Sequence, residues 1–259
     1  MRFAKKSLGQ NFLIDKNIIK KIVNCTKIKD RDIIEIGPGK ASLTNEILKQ
    51  EPKSLIVIEK DDKLFKNLKK VYTNNKLVKV LNKDILKFDV ETIVKKNSLI
   101  IGNLPYNISS QILVKILKFK KWPPNYMDII FMFQKELGEK IMGKYMSSNY
   151  GRLSIIANYR LKVMSSFLVS NNCFFPKPKV TSQVIHFKPR EDKIKIKNLN
   201  NLEKVTNIIF SNKRKMINKS LRKLLNLKKL SKIPQAMFYK RPTDLEAKTY
   251  YKIANLYEN

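Results

Sequence analysis

The sequence predicts an α/β protein: a doubly wound parallel sheet followed by a small C-terminal α-helical domain. Short β-branched runs alternate with helical patterns through the first three quarters of the chain, as in βαβ units. These runs are apolar at consecutive positions, which strands of a parallel sheet covered on both faces require. Residues 190–259 instead carry apolar side chains at three- and four-residue spacing, the pattern of amphipathic helices.

The predicted strands follow one another in order along the chain. They are Ile33 to Ile36, Leu55 to Ile58, Val78 to Leu81, Leu99 to Ile101, Ile129 to Phe133 and, after Pro176, Val184 to Phe187. Pro189 and the charged stretch behind it mark a boundary, so we divide the chain into domains of residues 1–189 and 190–259. The helical stripe of the second domain comprises Leu202, Val205, Ile208, Ile209, Ile217, Leu221, Leu224 and Leu225.

The charge of the chain favours a polyanionic partner. Lys and Arg number 54 against 21 Asp and Glu, a formal net charge of +33, which attracts nucleic acid. Only 8 of the basic residues are Arg, so a low-GC coding bias accounts for part of the excess. That bias does not explain the clustering, because residues 190–259 contain 18 basic and 6 acidic side chains. Nucleic acid is therefore the leading partner class.

The apolar stretches and the cysteines exclude other classes. The longest apolar runs, such as Ile129 to Phe133, are too short to cross a bilayer, and the N-terminus carries charges where a signal peptide needs apolar residues. We expect a cytoplasmic protein without a membrane partner. Cys25 and Cys173 have neither metal-site nor disulfide spacing and are expected to be reduced thiols.

A glycine-rich loop follows the first predicted strand. Glu35-Ile36-Gly37-Pro38-Gly39 leads into a helical pattern, so its backbone can approach a ligand above the carboxyl end of the strand. A dinucleotide fingerprint requires a third glycine or alanine where this chain has Ser42, whereas the methyltransferase spacing requires a small residue at Ala41. The loop alone fits either a nicotinamide dinucleotide or S-adenosylmethionine, whose carboxylate would gain from backbone amides and a helix N-terminus.

Two acidic residues follow the next two strands. Glu59 comes twenty residues after Gly39, where a carboxylate can accept hydrogen bonds from both hydroxyls of a ribose. Asp84 follows the third strand, where a carboxylate can accept a hydrogen bond from the amino group of an adenine. A solvated acid at a strand end, or an ordinary turn aspartate, would have the same sequence. The prediction therefore rests on three such features sharing one sheet edge.

The segment Gly102-Asn103-Leu104-Pro105-Tyr106-Asn107 follows the fourth strand at the same edge. Adenine's exocyclic amine is a poor nucleophile because its lone pair is delocalised into the ring, so an enzyme must favour the more tetrahedral amine. The side-chain oxygen of Asn103 and the backbone carbonyl of Leu104 are acceptors for its two hydrogens, and Pro105 stiffens the turn. Positioning and electrostatics then carry the reaction, and Tyr106 would stack on the base. Methyl transfer from a sulfonium requires no metal, so no metal site is expected.

A second aromatic wall of the site for the target base, opposite Tyr106, is predicted further along the chain. The proline-stiffened segment from Asn172 to Pro178 presents Phe174 and Phe175 to a base extracted from its stack. Ordinary core packing is the alternative for both rings. His186 lies in a strand pattern and is expected to be a structural or surface histidine rather than a catalytic base.

Five short motifs spread over nearly the whole chain carry a family resemblance. They are Leu8-Gly9-Gln10-Asn11-Phe12-Leu13, Glu35 to Gly39, Asn103 to Tyr106, Phe174-Phe175-Pro176-Lys177-Pro178-Lys179-Val180 and Lys213-Arg214-Lys215. Through them the chain resembles the ribosomal small-subunit (16S) RNA adenine N6,N6-dimethyltransferase family. The resemblance implies a Rossmann-like class I methyltransferase domain that binds S-adenosyl-L-methionine, followed by a basic helical domain that binds rRNA.

The resemblance also implies residue roles. Asn103 bridges cofactor and target base, and Phe174 matches the stacking aromatic of the family by its spacing to Pro176 and Pro178. The cofactor-binding residues implied are Asn11, Leu13, Gly37, Glu59, Asp84 and Asn103, and the catalytic residues are Asn103, Leu104, Tyr106 and Phe174. Ser109 and Ser110 follow the catalytic turn in place of larger side chains and would leave room for a monomethylated product.

The products that the resemblance implies are two adjacent dimethylated adenosines in a hairpin near the 3′ end of small-subunit rRNA, formed during ribosome biogenesis. The expected partner is this rRNA within an immature 30S subunit, and we expect the enzyme to be a monomer. Three alternatives stay open: a macrolide-resistance-type enzyme acting on large-subunit RNA, an assembly factor whose methylation is secondary, and a nicotinamide-dependent enzyme using Gly37, Gly39 and Glu59.

Overall fold

The computed structural model describes residues 10–259. Its strands are β1 Phe12–Leu13, β2 Asp32–Ile36, β3 Ser54–Glu59, β4 Val78–Asn82, β5 Ser98–Asn103, β6 Tyr126–Gln134, β7 Leu161–Val169, β8 Phe174–Phe175 and β9 Ser182–Pro189. Its α-helices are α1 Lys16–Val23, α2 Ser42–Leu48, α3 Asp62–Val71, α4 Ser109–Leu117, α5 Lys135–Ile141, α6 Arg152–Arg160, α7 Leu199–Phe210, α8 Asn218–Leu224, α9 Leu227–Leu230 and α10 Ala247–Glu258.

Seven strands form one sheet in the order β4-β3-β2-β5-β6-β9-β7. The pairs β2–β3, β3–β4, β2–β5 and β5–β6 are parallel, and β6–β9 is antiparallel. The chain runs outward from β2 through β3 to β4 and then returns to β5 on the other side of β2, so a topological switch lies between β2 and β5. The predicted doubly wound sheet is confirmed, as is each of the six predicted strands.

Two helices of the N-terminal unit begin at an aspartate whose side chain satisfies free backbone donors. Asp15 Oδ1 accepts hydrogen bonds from the N–H groups of Asn17 and Ile18, both at 2.9 Å, and so caps α1. Asp61 caps α3 in the same way, through Lys63 and Leu64. Aspartate is one of the residues preferred at the N-cap of a helix. The predicted helical stripe of residues 202–225 lies largely in α7 and α8, and most of its members are buried.

Three strands were missing from the sequence prediction. Edge strand β7 contains exposed Lys162, Ser165 and Ser166, so it lacks the continuous apolar run that identifies a central strand. Strands β1 and β8 are two residues long each and exist because they pair with one another, antiparallel and outside the main sheet. Such short pairs have no periodicity of their own to detect.

A buried ionic cluster lies at the edge of the sheet where the parallel strands begin. The Asp128 carboxylate receives Arg31 Nη2 at 2.9 Å and His186 Nε2 at 2.6 Å. Burial alone would raise the pKa of Asp128, but the hydrogen bond from His186 and the charge of Arg31 outweigh it and hold that pKa below its ordinary value. His186 is thus a structural residue, as predicted.

The chain divides into two compact units. The N-terminal unit contains the residues up to Gly138 together with Lys162–Pro189, and the C-terminal unit contains Glu139–Leu161 and Arg190–Asn259. The predicted division after residue 189 differs in one respect, because it assigned the excursion Glu139–Leu161 to the first domain. The reason is long-range packing within the C-terminal unit: Tyr251 donates its hydroxyl to Ile155 O on α6. Among residues 10–259, no helix has the length and apolar character needed to span a membrane.

Candidate active site

A pocket of about 200 Å³ opens at the carboxyl ends of β2, β3, β4 and β5, beside the topological switch. This is where ligands bind in open α/β sheets, because the loops that leave neighbouring strands separate there. The pocket lies within the N-terminal unit. The predicted site residues among its lining are Asn11, Leu13, Gly37, Glu59, Asp84, Asn103, Leu104 and Tyr106. Their roles stay predictions, but the structure brings all eight together.

The glycine loop adopts a backbone conformation that favours glycine. Gly37 and Gly39 have φ values of +69° and +56°, in the left-handed region that glycine adopts without strain. A Cβ at Gly39 would lie 3.0 Å from Cδ1 of Phe12, so a side chain there would press on the wall of the pocket. Ala41, also left-handed with φ of 65°, leads directly into α2. The loop therefore keeps its backbone close to the pocket.

Two buried carboxylates line the pocket next to this loop. Glu59 is 7% exposed and accepts hydrogen bonds from Asp61 N at 2.8 Å and from Gly39 N at 3.3 Å. Each oxygen of an ionised carboxylate has a further lone pair, so Glu59 can still accept two ribose hydroxyls. Burial raises the pKa of Glu59. Glu35, 1% exposed, accepts from Thr44 Oγ1 at 2.7 Å, and burial raises its pKa to about 8.

The third acid, Asp84, is held by charged and backbone groups. Lys60 Nζ lies 2.8 Å from Asp84 Oδ2, and the N–H of Leu86 donates to Oδ1 at 2.9 Å. The Lys60 ammonium thereby lowers the pKa of Asp84 below its ordinary value. Asp84 is thus an ionised acceptor at the rim of the pocket, as a contact with an adenine amino group requires.

The turn after β5 fixes the orientation of the Asn103 amide. Asn103 Nδ2 donates to the backbone carbonyl of Asn11 at 3.0 Å. Within residues 10–259, neither Asn103 Oδ1 nor Leu104 O has a hydrogen-bond partner, so both predicted acceptors are available. Gly102 makes this turn possible, because a Cβ there would lie only 2.6 Å from Ile36 O of β2. Gly102 has no predicted role from the sequence, although a glycine directly before Asn103 indicates a close backbone approach at this turn.

Tyr106 is anchored at its hydroxyl end. Its hydroxyl is hydrogen-bonded to Ser182 Oγ, and Ser182 is fully buried at the start of β9. Burial raises the pKa of the Tyr106 phenol, which therefore stays neutral. Ser109 Oγ donates to Tyr106 O at 3.1 Å. Ser109 thus supports the turn and is absent from the pocket lining, whereas the sequence suggested that it leaves room for product.

The two candidate phenylalanines lie in different surroundings. Phe174 is 3% exposed, is paired with Leu13 across β1 and β8, and packs in the hydrophobic core of the N-terminal unit. Phe175 is 48% exposed. Neither is among the pocket-lining residues. The structure thus places Phe174 next to a pocket residue, Leu13, without exposing its ring to the pocket.

The lining fits S-adenosylmethionine in its chemistry. Glu59 offers acceptors for ribose hydroxyls, Asp84 offers one for an adenine amine, and the glycine loop leaves room for backbone contact. Much of the remaining lining is apolar, which suits a nucleoside and a thioether chain. Among residues 10–259 there is no cluster of three or more His, Cys, Asp or Glu side chains arranged to hold a metal ion.

Comparison with known proteins matches the whole chain to one family. The family model for ribosomal RNA adenine dimethylase matches residues 1–259. The ribosomal RNA small subunit methyltransferase A of Pelagibacter ubique is 41% identical over 263 residues, which cover 99% of this chain and 97% of that protein. The protein of the same name from Malacoplasma penetrans is 38% identical over 256 residues, covering 97% and 91%.

Solved structures give the same result for the fold. A dimethyladenosine transferase from Plasmodium falciparum superposes with a TM-score of 0.77 at 26% identity, covering 93% of this chain and 95% of that one. The 23S rRNA methyltransferase ErmE superposes with a TM-score of 0.68 at 22% identity, covering 95% and 100%. These structures confirm the Rossmann-like class I methyltransferase fold. With its full-length match to the family model and close relatives over nearly its whole length, the chain belongs to the ribosomal RNA adenine dimethylase family.

Proposed function

We propose that this chain transfers methyl groups from S-adenosyl-L-methionine to N6 of two adjacent adenosines in a hairpin near the 3′ end of small-subunit (16S) rRNA during ribosome biogenesis. Membership of the family supports the enzyme class, and the relatives named small subunit methyltransferase A support the choice of subunit. The substrate is the rRNA within an immature 30S subunit, and the enzyme acts in the cytoplasm as a monomer without a metal.

The observation that carries the proposal is the orientation of the Asn103 amide. Because Nδ2 is engaged by Asn11 O, Oδ1 is left as the acceptor that can receive one N–H of the target amine. Leu104 O receives the other. Two acceptors aimed at these hydrogens favour the tetrahedral amine, whose lone pair is then free to attack. S-adenosylmethionine, when bound, supplies a methyl group made electrophilic by the sulfonium.

Aromatic side chains hold the target base at this turn. Tyr106, fixed by Ser182, offers one face, and base stacking on such platforms contributes about 1–3 kcal/mol per base. We assign the other wall to Phe174, which requires its ring to leave the core contacts that it makes here. Phe175, already exposed in the same short strand, is the alternative for this wall.

The cofactor roles follow the chemistry of the lining. Asn11, Leu13 and Gly37 contact the cofactor along the loop side, Glu59 binds the ribose, and Asp84 accepts from the adenine amino group. Asn103 adjoins both the cofactor and the target adenine. Its side chain contacts Asn11 O on the cofactor side, and its backbone leads into the catalytic turn. Residues 190–259, with their excess of basic side chains, bind rRNA phosphates.

The test is methyl transfer to defined ribosomal substrates. Purified protein with radiolabelled S-adenosylmethionine is incubated with small subunits from cells that lack N6-dimethylated adenosines, with fully methylated small subunits, and with large-subunit RNA. We expect label only on the under-methylated small subunit, at dimethyladenosine when the digest is analysed by mass spectrometry. Label confined to large-subunit RNA would contradict the substrate assignment.

A genetic arm separates catalysis from assembly. If the protein acts chiefly by binding the immature subunit, cells that carry only Asn103→Ala will mature small subunits like wild type, whereas cells without the protein will not. Equal defects in both strains support methylation as the essential role.

A further inference from the structure

One side chain at the rim of the pocket has no role in the proposed chemistry. Lys60 follows directly after Glu59 at the end of β3, and its ammonium reaches across to Asp84, which follows β4, at 2.8 Å. Both residues line the pocket. The two strands are in register, with Glu59 opposite Asn82, so the Lys60–Asp84 pair spans adjacent strand ends.

Stability does not explain this pair. Lys60 is more than half exposed, and exposed ion pairs contribute little to the free energy of folding because water screens them and the side chains lose entropy. The pair does, however, fix the Asp84 carboxylate in one orientation. Lys60 occupies Oδ2 while Leu86 N occupies Oδ1, so each oxygen keeps one defined direction for a further donor.

The loop that carries Asp84 is secured without Lys60. The N–H groups of Lys87 and Phe88 donate to Asp84 O, at 3.0 Å and 2.8 Å. From the other side, Lys115 Nζ on α4 donates to Leu86 O at 2.9 Å. Loss of the Lys60 ammonium would therefore release the carboxylate while the loop backbone stays in place.

We propose that Lys60 is a positioning residue that sets the purine specificity of the cofactor site by holding Asp84 as an ionised, oriented acceptor. The proposal rests on the proposed function, in which Asp84 receives the adenine amino group. An ionised carboxylate has acceptors only, so it bonds a 6-amino purine and repels the oxygen of a 6-oxo purine. Without Lys60 the carboxylate can rotate, so the directed hydrogen bond to a 6-amino purine weakens, whereas a 6-oxo purine makes no such bond and loses nothing.

The experiment measures binding rather than turnover. Dissociation constants for S-adenosylhomocysteine and S-inosylhomocysteine are determined by calorimetry for wild type, Lys60→Met, Lys60→Arg and Lys87→Met. Lys60→Met keeps the apolar stem and removes the charge, and Lys60→Arg restores a charged donor. Lys87→Met is the matched control, because the Lys87 side chain lies in the loop of Asp84 and acts on its carboxylate only through its charge, whereas among the described residues the ion pair of Asp84 is with Lys60.

For Lys60→Met we expect S-adenosylhomocysteine to bind about tenfold more weakly, the effect of weakening a hydrogen bond to a charged group, while S-inosylhomocysteine binding stays within about twofold. Lys60→Arg should recover most of the preference, and Lys87→Met should match wild type. Equal weakening of both ligands, unchanged binding in Lys60→Met, or the same loss in Lys87→Met would each overturn the proposal.

The proposed function fails in a different way. If wild type binds neither ligand, the cofactor assignment is wrong whatever Lys60 does. If wild type prefers the adenosine ligand but Asp84→Ala, which removes the acceptor, retains that preference, Asp84 is not the adenine acceptor and Lys60 cannot act through it. Melting temperatures of all variants, expected within a few degrees of wild type, show that the binding changes are local.

Discussion

Two sets of buried acidic side chains lie at opposite ends of the parallel strands, and they are paired with different kinds of groups. At the edge where the parallel strands begin, Asp128 is paired with Arg31 and His186. At the edge where they end, Glu35 and Glu59 receive only hydroxyl and backbone donors, with no cationic partner for either among the described residues. The pKa of Asp128 is lowered, whereas those of Glu35 and Glu59 are raised.

This difference distinguishes a carboxylate that stabilises the fold from carboxylates that are available to a ligand. The Asp128 carboxylate is paired with a guanidinium and an imidazole of the fold, and Asp128 does not line the pocket. Carboxylates buried without such partners are destabilising for the fold, and perturbed groups of this kind in a pocket are typical of binding and catalytic sites. We therefore expect substitutions at the first edge to reduce stability and substitutions at the second to reduce ligand binding and turnover.

The largest expected effect is on stability. Asp128→Ala should lower the free energy of unfolding by about 3–5 kcal/mol, because it leaves the largely buried Arg31 guanidinium without its carboxylate partner. Urea denaturation followed by circular dichroism measures this. The control is Glu51→Ala, which removes an exposed partner of Lys29 and should change the stability little. Equal losses of unfolding free energy in the two variants would contradict a special structural role for Asp128.

The next effect is on turnover at the opposite edge. Asn103→Ala should lower kcat by about 10²–10³-fold, since it removes one of the two proposed acceptors for the reacting amine, and loss of a single preorganised transition-state contact has an effect of this size. The melting temperature should change far less than in Asp128→Ala. Steady-state methylation and thermal unfolding are both needed. A stability loss comparable to that of Asp128→Ala would make Asn103 a structural residue instead.

A smaller effect tests the second wall of the base site. Phe174→Leu keeps apolar packing but removes the aromatic face, so kcat/KM for RNA should fall about tenfold, in the range of one base-stacking contact. Phe175→Leu, in the same strand, should have a weaker effect. The reverse order would assign the wall to Phe175, and no effect of either substitution would leave Tyr106 as the sole stacking platform.

The smallest expected effects are two pH dependences of stability with opposite sign, one from Glu35 and one from Asp128. Glu35 has a folded-state pKa raised to about 8 from an ordinary value of 4.5, so the folded protein holds a proton that the unfolded chain has released. The contribution of Glu35 to the free energy of unfolding should therefore fall as the pH rises from its ordinary pKa of 4.5 to about 8. Asp128, with its lowered pKa, contributes stability that is lost as pH falls below its ordinary value of 3.8.

Melting temperature against pH for wild type, Glu35→Gln and Asp128→Asn measures both slopes. Glu35→Gln should flatten the decline between pH 5 and about 8 and leave the acid limb unchanged. Asp128→Asn should flatten the acid limb alone. A decline above pH 5 that survives in Glu35→Gln would show that another group, with Glu59 the first candidate, carries it.

Much of the fold followed from local pattern. The central strands β2, β3, β5 and β6 are apolar at consecutive positions, as strands covered on both faces require, and this signal is visible without tertiary information. Edge strand β7 and the β1–β8 pair gave no such signal, since one is half solvated and the others exist only through their mutual pairing. The assignment of Glu139–Leu161 to the C-terminal unit was equally hidden, because it depends on packing between residues about a hundred positions apart.

By itself the sequence determined the chemistry of the site: a glycine loop, two strand-end acids and the Asn103 to Tyr106 turn are local features whose residue types limit what they can bind. The tertiary structure decided which of their atoms are engaged. Asn11 O fixes the Asn103 amide from 92 positions away, and Ser182 anchors Tyr106 from 76 positions away. Hydrogen bonds between distant segments have no periodicity along the chain, so only the folded arrangement of β1, β5 and β9 shows them.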